Sequence, residues 1–357
     1  MKIKTSILQE MVAKAIKAVS NNKMIPLTSL IGIELNNNEL ILQTTDGNNV
    51  LTISQQVECL ENEVFYSIVN ADTFSKLVGK TTSEYIILEN SENYLEFKGN
   101  GKYKLEIALN SDGEIVKFSN NELFETNQSI QISTEKLKNV LLTSKVAVAK
   151  TMEVPCLTGY YVAGKVLTTN REMICYIEDS ILNTPILLSD TTAELIQLLT
   201  SDIILFINNN KLLFKTDNIS IYCRELEGKD LYPITPIENL VKTNYNTSID
   251  INKQDFLNVL DRMSLFVTDY DKNGVYLKFT RDGLEVRSQK SNAVELLDIK
   301  SAESILEFEC LVDVEMLKSQ IQALASDTVS LYYGQPSSIE IKEGNVIMIL
   351  SLIEKVQ

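Results

Sequence analysis

Lysine placement bears most directly on what this chain could do. Lys14, Lys17, Lys76, Lys80, Lys136, Lys138, Lys145, Lys253, Arg262 and Lys318 fall in stretches of helical period, and Lys23 and Lys150 lie just past two of them. Cations of this kind neutralise phosphates through water and read no bases; sequence readout needs Arg, Asn or Gln aimed at base edges. The net charge of −15 points the other way, because phosphate binding needs a basic footprint. Distribution reconciles the two, since Glu84, Glu89, Glu92, Glu96 and Glu106 crowd strand segments instead. Exposed helix faces also carry lysine for solubility alone, so the cations by themselves leave both readings open.

Bond chemistry finds little support. Histidine is absent, which removes the commonest general base and zinc ligand. There is no Walker loop, dinucleotide fingerprint, nucleophile elbow or metal-ligand spacing. No catalytic residue, metal or cofactor is therefore expected. "GNGKYK" at 99–104 lacks the strand–loop–helix context of a phosphate loop and reads as a hairpin turn. Cys59, Cys156, Cys175, Cys223 and Cys310 are scattered without a C-x-x-C pair, as expected of buried thiols in a reducing, cytoplasmic compartment. No stretch approaches the roughly 18 to 20 apolar residues of a membrane span. The first nineteen residues hold charges within a helical period, so they read as a folded element and not a signal peptide.

The elements that carry these residues recur. Helical stretches at 6–19, 135–148 and 254–267 align, with Leu8, Leu137 and Phe256 equivalent, then Met11, Val140 and Val259, then Val19, Val148 and Val267. Their apolar spacing gives each one buried face. A second helix follows in each unit, at 70–81, 189–200 and 311–325, the first two opening on an Asp-Thr pair suited to an N-cap. "SEYIILEN", "SDIILFIN" and "SDTVSLYY" then lead into a hairpin. Between the helices, "LILQTTDGNNVLTI" (40–53) and "KVLTTNREMICYI" (165–177) build one Thr-Thr hairpin twice; 283–299 holds the third place without Thr-Thr. A unit of roughly 120 residues is far longer than a solenoid repeat and large enough for a domain. Joints fall near 124–127 and 242–245, the latter after the proline-marked loop "LYPITP" at 231–236. The division is 1–125, 126–243 and 244–357.

This order, with "NNKMIPLTSLIGIEL" (21–35), "LQTTDGN", "LTTNREM", "LEGKDLYP" (226–233) and "NVIMILSL" (345–352), resembles the bacterial sliding clamp, the beta subunit of DNA polymerase III, over nearly the whole chain. The resemblance implies an α+β fold of three repeated clamp domains, each with two helices packed on antiparallel sheets, closing into a ring as a dimer. It implies a non-enzymatic processivity factor of the cytoplasm. Such a ring encircles duplex DNA, tethers a replicative DNA polymerase and is handled by a clamp loader. The basic helix residues named above, with Lys23 and Lys150, would face DNA. A groove for partner peptides would be built from Leu157, Thr168, Met173, Pro233, Ser338, Val346, Ile347, Met348, Ile349, Leu350 and Leu352. Leu265 and Phe266 would seal against Tyr103 and Leu105. The chain departs from the family where Ile349 stands for a frequent proline and where "TTNREM" lacks the usual glycine. The third unit is mixed in charge, with Asp255, Asp261, Asp313 and Glu315 in its helices. Competing readings are a clamp-like scaffold or inhibitor that closes no ring, a ligand-binding β protein, and an enzyme. The second expects a concave aromatic site, yet there is no Trp and aromatics are 7%; the third expects a convergent polar site.

Overall fold

The computed structural model describes residues 1–357 except 37, 58–63, 119–128, 180, 269, 271, 291, 305 and 355–357, and leaves the side chains of 303 and 304 undescribed. Cys59 and the joint expected at 124–127 lie outside the described residues. Contacts divide the chain into two compact units, Met1–Thr134 with Thr191–Glu225, and Glu135–Asp190 with Leu226–Gln357.

The helices among the described residues are α1 (Thr5–Ala15), α2 (Ala71–Lys80), α3 (Thr134–Ser144), α4 (Asp190–Ile196), α5 (Ile234–Val241), α6 (Lys253–Met263) and α7 (Val314–Ala323). The amphipathic spacing works as expected: α1 buries Leu8, Met11, Val12 and Ala15, and α6 buries Phe256, Val259, Leu260 and Met263. α1, α3 and α6 each end sooner than the apolar period suggests and tighten into a 3₁₀ turn, at Ile16–Ala18, Lys145–Ala147 and Ser264–Phe266. Capping differs from the expectation. Asn70, not Asp72, caps α2 by accepting from the Thr73 N–H; Asp72 sits in the first turn. α7 begins later than expected, because 311–313 close the strand Phe308–Asp313 and the Asp313 carboxylate caps the helix through the Glu315 and Met316 N–H groups. α5 falls where a loop was expected. Pro236 fits its first turn, where a backbone N–H has no partner to lose.

In the first unit an eight-stranded antiparallel sheet runs Phe65–Asn70, Leu30–Asn36, Glu39–Thr45, Asn49–Gln56, Ile219–Arg224, Lys211–Lys215, Ile203–Asn208, Ser129–Ile132. A four-stranded sheet runs Lys2–Lys4, Tyr85–Asn90, Tyr94–Lys98, Lys102–Glu106. Residues 99–101 make the turn between its last two strands, as the glycine-rich stretch suggested. In the second unit a nine-stranded sheet runs Ile186–Ser189, Gly159–Val162, Lys165–Thr169, Met173–Glu178, Val346–Ser351, Ser338–Glu343, Thr328–Tyr333, Thr247–Asn252, Ser301–Ser304. Its four-stranded companion runs Val294–Leu297, Gly283–Ser288, Gly274–Thr280, Phe308–Asp313.

Two pairings in these sheets join segments of different repeats. Asn49–Gln56 pairs with Ile219–Arg224, Leu51 opposite Ile221. Met173–Glu178 pairs with Val346–Ser351, Cys175 opposite Met348. In both, the second strand of a Thr-Thr hairpin meets the last strand of the following repeat. Backbone groups that would otherwise need water are satisfied across the seam.

Candidate functional site

The two Thr-Thr hairpins share one hydrogen-bond scheme. Thr45 Oγ1 donates to the Asn49 carbonyl and accepts from the Gly47 N–H, while the Asp46 carboxylate accepts from the Asn49 N–H at 2.7 Å. In the second hairpin Thr169 Oγ1 donates to the Met173 carbonyl and accepts from the Arg171 N–H, and Asn170 Oδ1 accepts from the Met173 N–H at 2.6 Å. The turn holds its third residue at positive φ: +102° for Gly47, +81° for Arg171. A non-glycine residue there gives up about 1 kcal/mol.

Beside Arg171 lies an apolar cavity of about 340 Å³, lined by Val154, Leu157, Thr169, Arg171, Ile174, Leu231, Pro233, Pro236, Ile237 and Leu240. Its floor is a cluster of Leu157, Leu167, Ile174, Tyr232, Ile237 and Ile349. Tyr232 anchors the wall: its ring stacks on Tyr161 at 5.4 Å and its hydroxyl donates to the Leu167 carbonyl at 3.0 Å. Burial pushes that phenol's pKa up, so it stays a donor. With Tyr232 pinned, Leu231 is left 79% exposed at the rim. An ion pair from Lys165 to Glu238 holds α5 alongside. Arg171 also lines a second cavity of about 480 Å³, with Glu172, Lys272, Asp313, Met316, Ser351, Leu352, Ile353 and Glu354.

The expected groove residues separate into distinct places. Leu157 and Pro233 line the apolar cavity and Leu352 lines the second. Ile349 lies in the floor cluster and Ile347 packs against it. Thr168 is buried, donating to the Ser144 carbonyl, and Ser338 is buried against the Tyr245 hydroxyl. Met348 and Leu350 are buried within the sheet and Val346 is half-buried. Met173 is only 6% exposed and lines a different cavity of about 940 Å³ with Met316, Lys150 and α7 residues. The sequence reading missed Val154, Ile174, Leu231, Ile237 and Leu240; the period of Ile234, Ile237 and Val241 was the available signal for α5.

The basic residues divide as well. α1 packs on α2, and α6 on α7. Lys17, Lys23, Lys80 and Lys150 are exposed, with no acidic partner among the described residues. Lys14 pairs with Glu10, Lys76 with Asp72, and Lys145 with Asp190; Lys136 is exposed and Lys138 half-buried, on α3. Lys318 bridges Asp261 at 2.5 Å and Glu315 at 3.9 Å. Arg262 grips Glu295 with two hydrogen bonds, which hold that carboxyl below its usual range. Lys253 donates to the Leu324 carbonyl beyond the end of α7. In the third repeat, then, these cations are engaged in structure, consistent with its mixed charge.

Of the expected seal, Leu265 is 79% exposed, and Phe266 and Tyr103 are each just under half exposed. Leu105 is buried in its own unit. Two apolar side chains unforeseen from the sequence, Val294 and Leu296, are exposed on the edge strand Val294–Leu297.

No family model matches the chain. It is 26% identical over 298 residues to the beta sliding clamp of Staphylococcus epidermidis, and 26% identical over 312 residues to that of Staphylococcus aureus, covering 76% of each chain in both cases. Its fold matches the DNA polymerase sliding clamp of Bacillus subtilis with a TM-score of 0.87 at 20% identity, covering 99% of both chains. The beta subunit from the DNA polymerase of Streptococcus pyogenes gives 0.88 at 19% identity, again over 99% of both. The helix–hairpin repeats, the sheet topology and this similarity together give the chain the fold of the beta sliding clamps, the family of DNA polymerase III beta subunits to which it is similar over nearly its whole length.

Proposed function

We propose that the chain is a DNA polymerase processivity factor. Two copies join head to tail into a ring of six repeats, bounded at 1–125, 126–243 and 244–357, that encircles duplex DNA. The ring tethers the replicative polymerase and is opened by a clamp loader in the cytoplasm. One observation carries this reading. Inside the chain, the hairpin strand of one repeat pairs with the last strand of the next, at 49–56 with 219–224 and at 173–178 with 346–351. The third repeat's equivalent, Val294–Leu297, is a sheet edge, and so is the first repeat's last strand, Lys102–Glu106. The same rule applied between copies pairs these two edges and closes the ring at a fixed rotation.

DNA contact falls on Lys17, Lys23, Lys80 and Lys150, whose charges are unspent, while Lys253, Arg262 and Lys318 mainly hold the third repeat together. The peptide groove is the apolar cavity beside Arg171 together with the second cavity that Arg171 borders. Retention on DNA is topological, because a chain of net charge −15 has unfavourable long-range electrostatics for phosphate. The test loads the protein on a nicked circular duplex with a clamp loader, raises the salt and follows co-elution. The ring stays on the circle and leaves once the circle is linearised. Equal retention on both forms would favour an ordinary DNA-binding surface, and a monomer that never loads would favour a clamp-like scaffold.

A further inference from the structure

We propose that Arg171 selects the peptide that enters the groove, favouring a segment whose apolar anchor is directly flanked by an aspartate or glutamate. This rests on the reading that the groove accepts peptides. The chain contains its own control. The first hairpin makes the same three hydrogen bonds with Gly47 where the second has Arg171. Glycine therefore satisfies the turn, and the arginine is held at φ +81° although the hairpin does not need it. Backbone strain kept where the fold does not demand it points to a role for the side chain. That side chain is exposed and has no acidic partner among the described residues.

The surroundings define what it would recognise. Arg171 is the one charged residue among those lining the apolar cavity. Beside a low-dielectric wall a carboxylate is attracted more strongly than in open water, and the planar guanidinium fork can hold both its oxygens. The far side of the second cavity opposes this, because Glu172, Asp313 and Glu354 outnumber Arg171 and Lys272 in its lining. An anion is therefore drawn to the anchor's immediate neighbour and repelled further along toward the second cavity. Position, and not acidity alone, is selected.

The test measures fluorescence anisotropy with amidated, fluorescein-labelled peptides carrying one Gln and two spaced apolar anchors. They differ only in Asp, Asn or Lys beside the anchor, or in Asp moved two residues toward the second cavity. One further peptide ends on the anchor with a free C-terminal carboxylate. The native protein prefers adjacent Asp over Asn by roughly 5-fold, the order of a charge-assisted bond at a rim, and binds Lys and displaced Asp more weakly than Asn. Arg171→Gly melts no lower than the native protein and binds the Asp and Asn peptides with equal affinity. Arg171→Lys keeps part of the preference. A preference that persists in Arg171→Gly, or none in the native protein, overturns the proposal. Selection of the free carboxylate in place of the side chain overturns the side-chain assignment. Failure of every peptide to bind the native protein instead removes the groove itself.

Discussion

Several single side chains hold chemistry that measurement can reach. Glu340 is fully buried at 0% exposure on the strand Ser338–Glu343, with Lys342 Nζ 2.6 Å from one oxygen. Neither carboxylate oxygen is in hydrogen-bonding geometry, and desolvation pushes the pKa up despite the lysine. A carboxyl with a raised folded-state pKa stabilises most below its unfolded value, and that stability is lost as pH rises through the folded value. Glu340→Gln should therefore stabilise the protein at pH 7 to 8 by about 1 kcal/mol, and the gain should shrink toward pH 4. Melting curves across that range check it; a gain independent of pH would mean that ionisation is not the cause. Burial likewise raises the Cys175 and Cys223 thiols to about 12. Native protein should leave both unmodified by a thiol reagent, and labelling should wait for unfolding.

Among elements, α5 and the hairpin tip decide where a peptide test must be made. Met173 looked like a groove residue in the sequence, but it is buried, and Met173→Asp should destabilise by about 3 kcal/mol by burying an unpaired charge. Leu231 projects from the rim, so Leu231→Asp should leave melting within a degree or two while weakening peptide binding about tenfold, as loss of an anchor does. Unchanged affinity in Leu231→Asp would move the groove away from α5. The helix pairs make a second contrast. Lys17→Glu with Lys80→Glu should lower loading on circular DNA and leave stability alone. Arg262→Glu with Lys318→Glu should instead reduce stability, since each charge reversal breaks an existing ion pair. Equal loading defects from the two doubles would mean that the third repeat contacts DNA as strongly as the first.

At the scale of the whole molecule, the proposed ring closure turns on exposed edges. Leu265→Asp with Phe266→Asp places two charges on exposed positions, so the fold should survive while a sealed joint should not. The expected product is a folded monomer by light scattering. Val294→Asp with Leu296→Asp tests the same closure from the edge strand and should also give a monomer. A dimer that persists in both doubles would place the seam elsewhere.

Repetition was legible in the chain because helix period and hairpin chemistry are local. The spacing of Leu8, Met11 and Val12, or of Thr44, Thr45 and Asp46, is set by residues a few positions apart, and the helices and hairpins formed where that spacing placed them. Boundaries were less legible: Asn70 and Asp313 cap helices through a few side-chain hydrogen bonds that neighbouring polar residues could equally have made. α5 was hidden by its prolines, whose usual message of a loop is overridden when they sit in a first turn. The apolar cavity was partly legible, through Leu157 and Pro233, and otherwise not. The continuous apolar run Val346–Leu350 marks a strand but not which face a given side chain takes, and that was decided by pairing with Met173–Glu178. Likewise, residue type makes Lys17 and Lys318 equal cations. Only the tertiary structure sets Lys318 against Asp261 and leaves Lys17 without an acid among the described residues, because charge pairing depends on distances between elements far apart in the chain.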